Sequence, residues 1–102
     1  MKKEERYDLY DRAIKVWGDE AQYSQLIEEM AELTVASSKM RRQMHGEYKN
    51  VDLDSNFKEE ICDVFMCLEL FIKKYGKEEL SKIFEEKLLK FKGQIEKAEK
   101  SK

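Results

Sequence analysis

The sequence predicts an all-α protein organised as a four-helix bundle. Three observations predict it: the 102-residue chain contains no proline, its first three glycines (Gly18, Gly46, Gly76) fall where apolar periodicity stops and restarts, and apolar residues between them recur at helical spacing. The first helix is expected over roughly 4–17, with Tyr7, Tyr10, Ile14 and Trp17 as one apolar stripe. The second opens on a cap-like pair, Asp19 and Gln22, and runs to about His45 with Leu26, Met30, Leu33, Ser37, Met40 and Met44 on one face. After a polar connection, Asn56-Phe57-Lys58-Glu59 has the form of a capping box and opens a third helix ending near Tyr75-Gly76. A fourth fills 77 to about 98, its face made by Leu80, Ile83, Phe84, Leu88, Phe91 and Ile95.

A chain of this length suits one domain, 1–102, with 1–3 and 99–102 expected to be flexible. A core of this size buries only about two-thirds of the unfolded chain's surface, so the bundle is expected to be completed by self-association, as a homodimer or homotetramer. Charged residues make up 41% and apolar ones another 41%, which describes a helical surface over a core and not a disordered chain. A net charge of −2, with cations and carboxylates interleaved, argues against general nucleic-acid binding, which depends on cationic contacts to phosphate. The longest apolar stretch, Ile61 to Ile72, is broken by Asp63 and Glu69 and is too short to cross a bilayer. Met1-Lys2-Lys3-Glu4-Glu5 lacks the apolar core of a secretory signal, and the expected location is the cytoplasm. Cys62 and Cys67 lie five apart on one helix, point in different directions and are read as unbridged core or half-buried thiols.

In so charged a chain, a site is marked by a carboxylate where a solvated face cannot place it. At about 100° per residue, Glu60 falls among Val64, Cys67 and Phe71, inside the apolar stripe of helix three, and Asp63 borders it. Taking a carboxylate out of water costs several kcal/mol unless something compensates it, and a cation in a bundle interior can do so. On helix two, Glu29 and Glu32 flank the apolar face at spacing i, i+3, with Gln25 and Ala36 on the same stripe. Glu28 and Glu59 point about 100° away from their neighbours, toward solvent or an outer shell. Two such pairs on facing helices supply four or more oxygens to a hard cation, Mg²⁺ or Mn²⁺.

The run Glu28-Glu29-Met30-Ala31-Glu32, followed across a loop by Glu60-Ile61-Cys62-Asp63, resembles the EExxE…ExxD signature of MazG-type all-α nucleoside triphosphate pyrophosphohydrolases. The resemblance extends to Leu33 and Val64-Phe65, and the helix order matches over about residues 20–92. It implies a Mg²⁺-dependent enzyme that cleaves a nucleoside or deoxynucleoside triphosphate between the α and β phosphates, giving a monophosphate and pyrophosphate in nucleotide-pool housekeeping. Carried over residue by residue, Glu29, Glu32, Glu60 and Asp63 become both the metal ligands and the catalytic carboxylates. Such cations bridge phosphate oxygens and activate an attacking water.

Three further residues are candidates for the substrate. Lys87 falls between Leu80, Phe84 and Phe91 on helix four and is read as a phosphate contact, its alternative being a stem that snorkels to the surface. Family members often follow a lysine in this helix with asparagine or arginine, whereas this chain reads Leu88-Leu89-Lys90-Phe91-Lys92, which leaves the nucleotide open. Trp17, with Tyr10, could stack on a base, core packing being the plainer role. Lys39 continues the Gln25-Glu29-Glu32-Ala36 stripe toward a phosphate, the plainer role being a solvated helix end with Arg41 and Arg42. His45 stands beside Gly46 at a helix end, and one histidine with two cysteines on one helix makes no zinc set. Neither the serines nor the cysteines have an activating base at recognisable spacing, and no glycine-rich phosphate loop is present. Two rival readings stand beside this one: a related pyrophosphohydrolase acting on a phosphoribosyl-ATP-like nucleotide, and a non-catalytic helical interaction module whose acidic residues are surface charge.

Overall fold

The structure, a computed structural model, describes residues 1–101 and is all-α, with four helices: α1 (Lys3–Trp17), α2 (Asp19–Met44), α3 (Asp54–Tyr75) and α4 (Lys77–Lys100). The chain divides into two compact units, Met1–Phe71 and Ile72–Lys102.

In the first unit, α1 and α2 are joined by Gly18 alone. Its φ of +87° turns the chain through a conformation that a side chain would strain, while its N–H still closes α1 on the Ile14 carbonyl at 2.7 Å. The cap-like pair expected at Asp19 and Gln22 does not form. The Gln22 amide instead donates to the carbonyls of Gly18 (3.3 Å) and Ala13 (3.4 Å), tying the start of α2 to the end of α1.

α2 and α3 run antiparallel. Tyr23, early in α2, meets Phe71, late in α3, with ring centroids 5.0 Å apart. At the other end the Gln43 amide donates to the Val51 carbonyl at 2.9 Å, just before α3 begins. Among the α2 residues withdrawn from solvent, Gln22, Leu26, Glu29, Leu33, Ala36, Met40 and Gln43 alternate steps of four and three, as a heptad seam does. Facing them on α3 are Phe57, Glu60, Val64, Cys67 and Phe71 at the same spacing. The buried apolar residues are Tyr10, Ala36, Leu53, Val64, Cys67 and Leu70, all in this unit. Met44 and Trp17, expected on core stripes, are exposed, as is Cys62. Cys62 lies at i+5 from Phe57 and i−5 from Cys67, off the seam, and so turns outward. Both thiols are free.

α3 begins two residues before the Asn56 capping box expected from sequence. Its first turn is capped by Asp52, whose carboxylate accepts from the N–H of Asp54 (3.1 Å) and Ser55 (3.4 Å) and from the Ser55 hydroxyl (3.0 Å). The Ser55 hydroxyl and N–H are the main reasons the Asp52 carboxyl sits below its ordinary pKa. The connection before it folds back through Tyr48 and Asn50, both at positive φ, with the Arg42 guanidinium over the Tyr48 ring at 5.2 Å.

α1 is fixed to α3 by a charged network. Glu69 accepts from Arg6 Nε (2.7 Å), Arg6 Nη2 (3.2 Å) and the Tyr10 hydroxyl (2.6 Å). Bonding to Arg6 first, and then to Tyr10, holds the Glu69 carboxyl below its usual pKa, and the same bond raises Arg6. Burial, then the bond to the Glu69 carboxylate, pushes Tyr10 up to about 12. A phenol raised in the folded state contributes stability that is complete below its unfolded value near 10 and is lost as pH rises toward 12. Thermal unfolding followed by circular dichroism between pH 9 and 12 is expected to show this loss, and Tyr10→Phe is expected to flatten it.

In the second unit, α4 follows α3 through Gly76, and its residues from Ser81 to Lys100 are all exposed. The stripe read from its sequence, Ile83, Phe84, Leu88, Phe91 and Ile95, is therefore open, with only Leu80 half-buried. Among the described residues no helix is long and apolar enough to cross a membrane.

Candidate metal centre

The antiparallel pairing brings together the carboxylates that the sequence singles out. Oxygens of Glu29, from the α2 seam, and of Glu60 and Asp63, from α3, all lie within 4.8 Å of one another, and all three residues are half-buried. Glu29 occupies the seam itself and not its flank, because the heptad that positions Leu26 and Leu33 passes through it. Glu32 is one step off the seam and exposed, yet it stands within side-chain hydrogen-bonding reach of both Glu60 and Glu29. The four carboxylates thus form one group, three converging and the fourth at the mouth. Glu28 and Glu59 are exposed, as their direction predicts.

The group is electrostatically uncompensated. Glu29 Oε2 and Glu60 Oε2 are both buried and have no hydrogen-bond partner. The Gln25 amide donates to Glu29 Oε1 at 2.7 Å. Desolvation, and then the charges of Glu32, Asp63 and Glu28, push Glu29 above the usual carboxylate range. Glu32 is raised by desolvation and then by the charge of Glu60. The buried Cys67 thiol beside them is raised by burial first and by Glu29 and Asp63 next. A carboxyl raised by folding contributes stability at acid pH that is lost as pH climbs through the raised value, so at neutral pH this cluster opposes the fold that assembles it.

A divalent cation fits this arrangement. An ion held about 2.1–2.6 Å from each oxygen separates ligands on opposite sides by about 4–5 Å, and these oxygens all lie within 4.8 Å of one another. All donors are carboxylate oxygens, the set preferred by Mg²⁺, Mn²⁺ or Ca²⁺ over softer metals. Glu29, Glu60 and Asp63 would hold the ion, with Glu32 at the open side. There the bound ion would supply positive charge and lower the pKa of a coordinated water.

Beside the cluster, between α1 and the α2–α3 pair, lies an apolar groove of about 630 Å³. Gln25, which bonds Glu29, and Cys67 line it together with Leu9, Tyr10, Trp17 and Phe71. Trp17 is 71% exposed on this groove and not packed in a core. Tyr10 is the reverse, buried and engaged by Glu69. Lys39 is half-buried on α2, two turns beyond Glu32, and does not belong to the converging group. Lys87 is exposed on α4, so burial places no cost on its charge. Sequence reasoning did not find the groove or the role of Gln25. The signal for both was Gln25 standing one turn before Glu29 among the small residues Ala13 and Ala21.

No protein-family model, curated protein or solved structure matches this chain.

Proposed function

We propose that this chain is a Mg²⁺-dependent nucleotide pyrophosphohydrolase, cleaving a nucleoside or deoxynucleoside triphosphate to the monophosphate and pyrophosphate as a cytoplasmic nucleotide-pool enzyme. The observation that carries the reading is the pair of buried, unpartnered oxygens on Glu29 and Glu60, within a carboxylate group that could hold a cation. The step from cation to nucleotide rests on the resemblance of Glu28-Glu29-x-x-Glu32 and Glu60-x-x-Asp63 to the MazG-type signature, supported by an apolar groove beside the cluster.

In this reading Glu29, Glu60 and Asp63 hold Mg²⁺ (or Mn²⁺) and through it the phosphates. Glu32, off the seam and reaching Glu60, would accept the proton of the attacking water in this reading. Trp17 offers its ring face to the base along the groove, with the phosphates toward Gln25 and the carboxylates. Lys39, half-buried two turns beyond Glu32, serves as a phosphate contact. Pyrophosphate release is expected from at least one nucleotide in a panel of ribo- and deoxyribonucleoside triphosphates and a phosphoribosyl-ATP-like nucleotide with Mg²⁺. Chelation should stop it. A panel inert throughout, with Mg²⁺ and with Mn²⁺, would favour the interaction module.

A further inference from the structure

Glu29 enters the carboxylate group with its two oxygens in different circumstances. Oε1 accepts from the Gln25 amide at 2.7 Å, whereas Oε2 is buried and has no partner. The two residues lie one turn apart on α2, the separation at which side chains stand side by side on a helix. Gln25 is not on the seam. It precedes Leu26 and lines the groove with Ala13, Ala21 and Trp17, so its amide reaches Glu29 from the groove side. The oxygen it leaves over is the one withdrawn from solvent.

A glutamate side chain is flexible, and it gives up that freedom when it becomes a ligand. One already held in its binding orientation loses less when the ion arrives, and a hydrogen bond from a group outside the coordination sphere is a common means of holding it. An amide N–H suits the task. It donates to one carboxylate oxygen, leaves the lone pairs of the other available, and brings no charge of its own, whereas a lysine or arginine at this position would compete with the cation. Gln25 is exposed, so its bond exchanges with bonds to water and adds little to the stability of the fold. An amide with a plainly structural task stands elsewhere on the same helix: Gln43 donates to the carbonyls of Tyr48 (3.2 Å) and Val51 (2.9 Å) and closes the connection before α3.

We propose that Gln25 is a positioning residue for the cation site, its amide holding Glu29 by Oε1 so that Oε2 is presented to the ion shared with Glu60 and Asp63. The inference rests on the cation reading of the carboxylate group and uses nothing of the nucleotide. It also joins the groove to the carboxylates through one side chain, since whatever fills the groove beside Trp17 meets the amide that sets Glu29.

Gln25→Met tests it, because methionine keeps the length of the side chain and the wall of the groove and removes the N–H. Calorimetric titration of the whole chain with Mn²⁺ is expected to show the variant binding about 10–100-fold more weakly than the native protein, with its cation-free melting temperature unchanged. Gln43→Met should do the reverse, lowering the melting temperature and keeping the Mn²⁺ affinity. Glu29→Asp retains a carboxylate but draws it back from the amide, so Gln25→Met added to that background should produce no further loss. Native affinity in Gln25→Met would overturn the proposal and leave the cation reading standing. So would an equal loss of affinity in Gln43→Met, or a loss undiminished in the Glu29→Asp background, which would mean that Gln25 acts independently of Glu29. A native chain that binds no Mn²⁺ would overturn the cation reading and this proposal together.

Discussion

Glu60→Gln is expected to weaken Mn²⁺ and Mg²⁺ binding by about a hundredfold or more, beyond the 10–100-fold that follows loss of a merely supporting group, and to remove pyrophosphate release with it. The amide keeps the shape of the side chain but offers the ion only a neutral carbonyl oxygen, and Glu60 sits between Glu29, Asp63 and Glu32. The fold is not expected to suffer. Glu60 Oε2 has no partner to lose, and removing one charge from a crowded acidic group relieves repulsion, so the cation-free variant should melt at or above the native temperature. That pairing of outcomes separates a metal site from a structural role, in which loss of Glu60 would lower stability and leave cation binding untouched. The native protein should show the converse dependence on cation. Added Mn²⁺ should raise its melting temperature more at pH 7 than at pH 5, because Glu29 and Glu32, raised by desolvation and by each other's neighbours, take up protons early as pH falls and then neither repel nor bind the ion. Isothermal calorimetry and differential scanning calorimetry on the same samples measure both.

Glu69→Ala is expected to be the most damaging substitution to stability outside the apolar core. It removes the acceptor of both Arg6 bonds and of the Tyr10 bond, and leaves the buried Tyr10 hydroxyl without a partner. Stranding the buried Tyr10 donor costs about 1–3 kcal/mol, and the loss of the solvent-screened Arg6 pair adds little to it. For a domain of this size that is roughly a 5–20 °C fall in melting temperature. Tyr10→Phe should cost far less, since Arg6 still pairs with Glu69. Arg12→Ala, which breaks only the exposed 3.5 Å pair with Asp8, should be close to neutral. The linkage also has a sign. Glu69 is depressed in the fold, so its contribution is complete above the ordinary carboxylate range and is lost as pH falls through its folded value, and the alanine variant should lack that acid limb.

The helices were legible because their signals are local. Glycine corners, a proline-free chain and helical periodicity placed α1, α2 and α4 within a residue or two of their bounds. The third start was misplaced because Asp52 outcompetes Asn56: a carboxylate that collects two N–H groups and a hydroxyl defines the helix end better than a later residue of similar type. For the site, Glu60 inside an apolar stripe pointed to a buried charge, and the structure adds that Glu29 shares the seam while Glu32 does not. What sequence could not supply was anything depending on which helix lies beside which. The salt-bridged network linking residues 63 apart and the groove at Trp17 are both products of packing.

The corner at Gly18 carries a consequence for how the chain reaches this structure. One residue joins two helices there, and Gln22 closes the turn with bonds reaching no further than nine positions along the chain. Closing so short a loop costs little entropy, so the α1–α2 elbow belongs to the early stage of folding, whereas the clasp of Arg6 and Tyr10 on Glu69 must span most of the first unit and closes late. Interactions absent from the transition state govern how fast a protein comes apart more than how fast it forms. The Glu69 clasp is therefore a latch on the native lifetime, and the glycine elbow sets the pace at which that state is found.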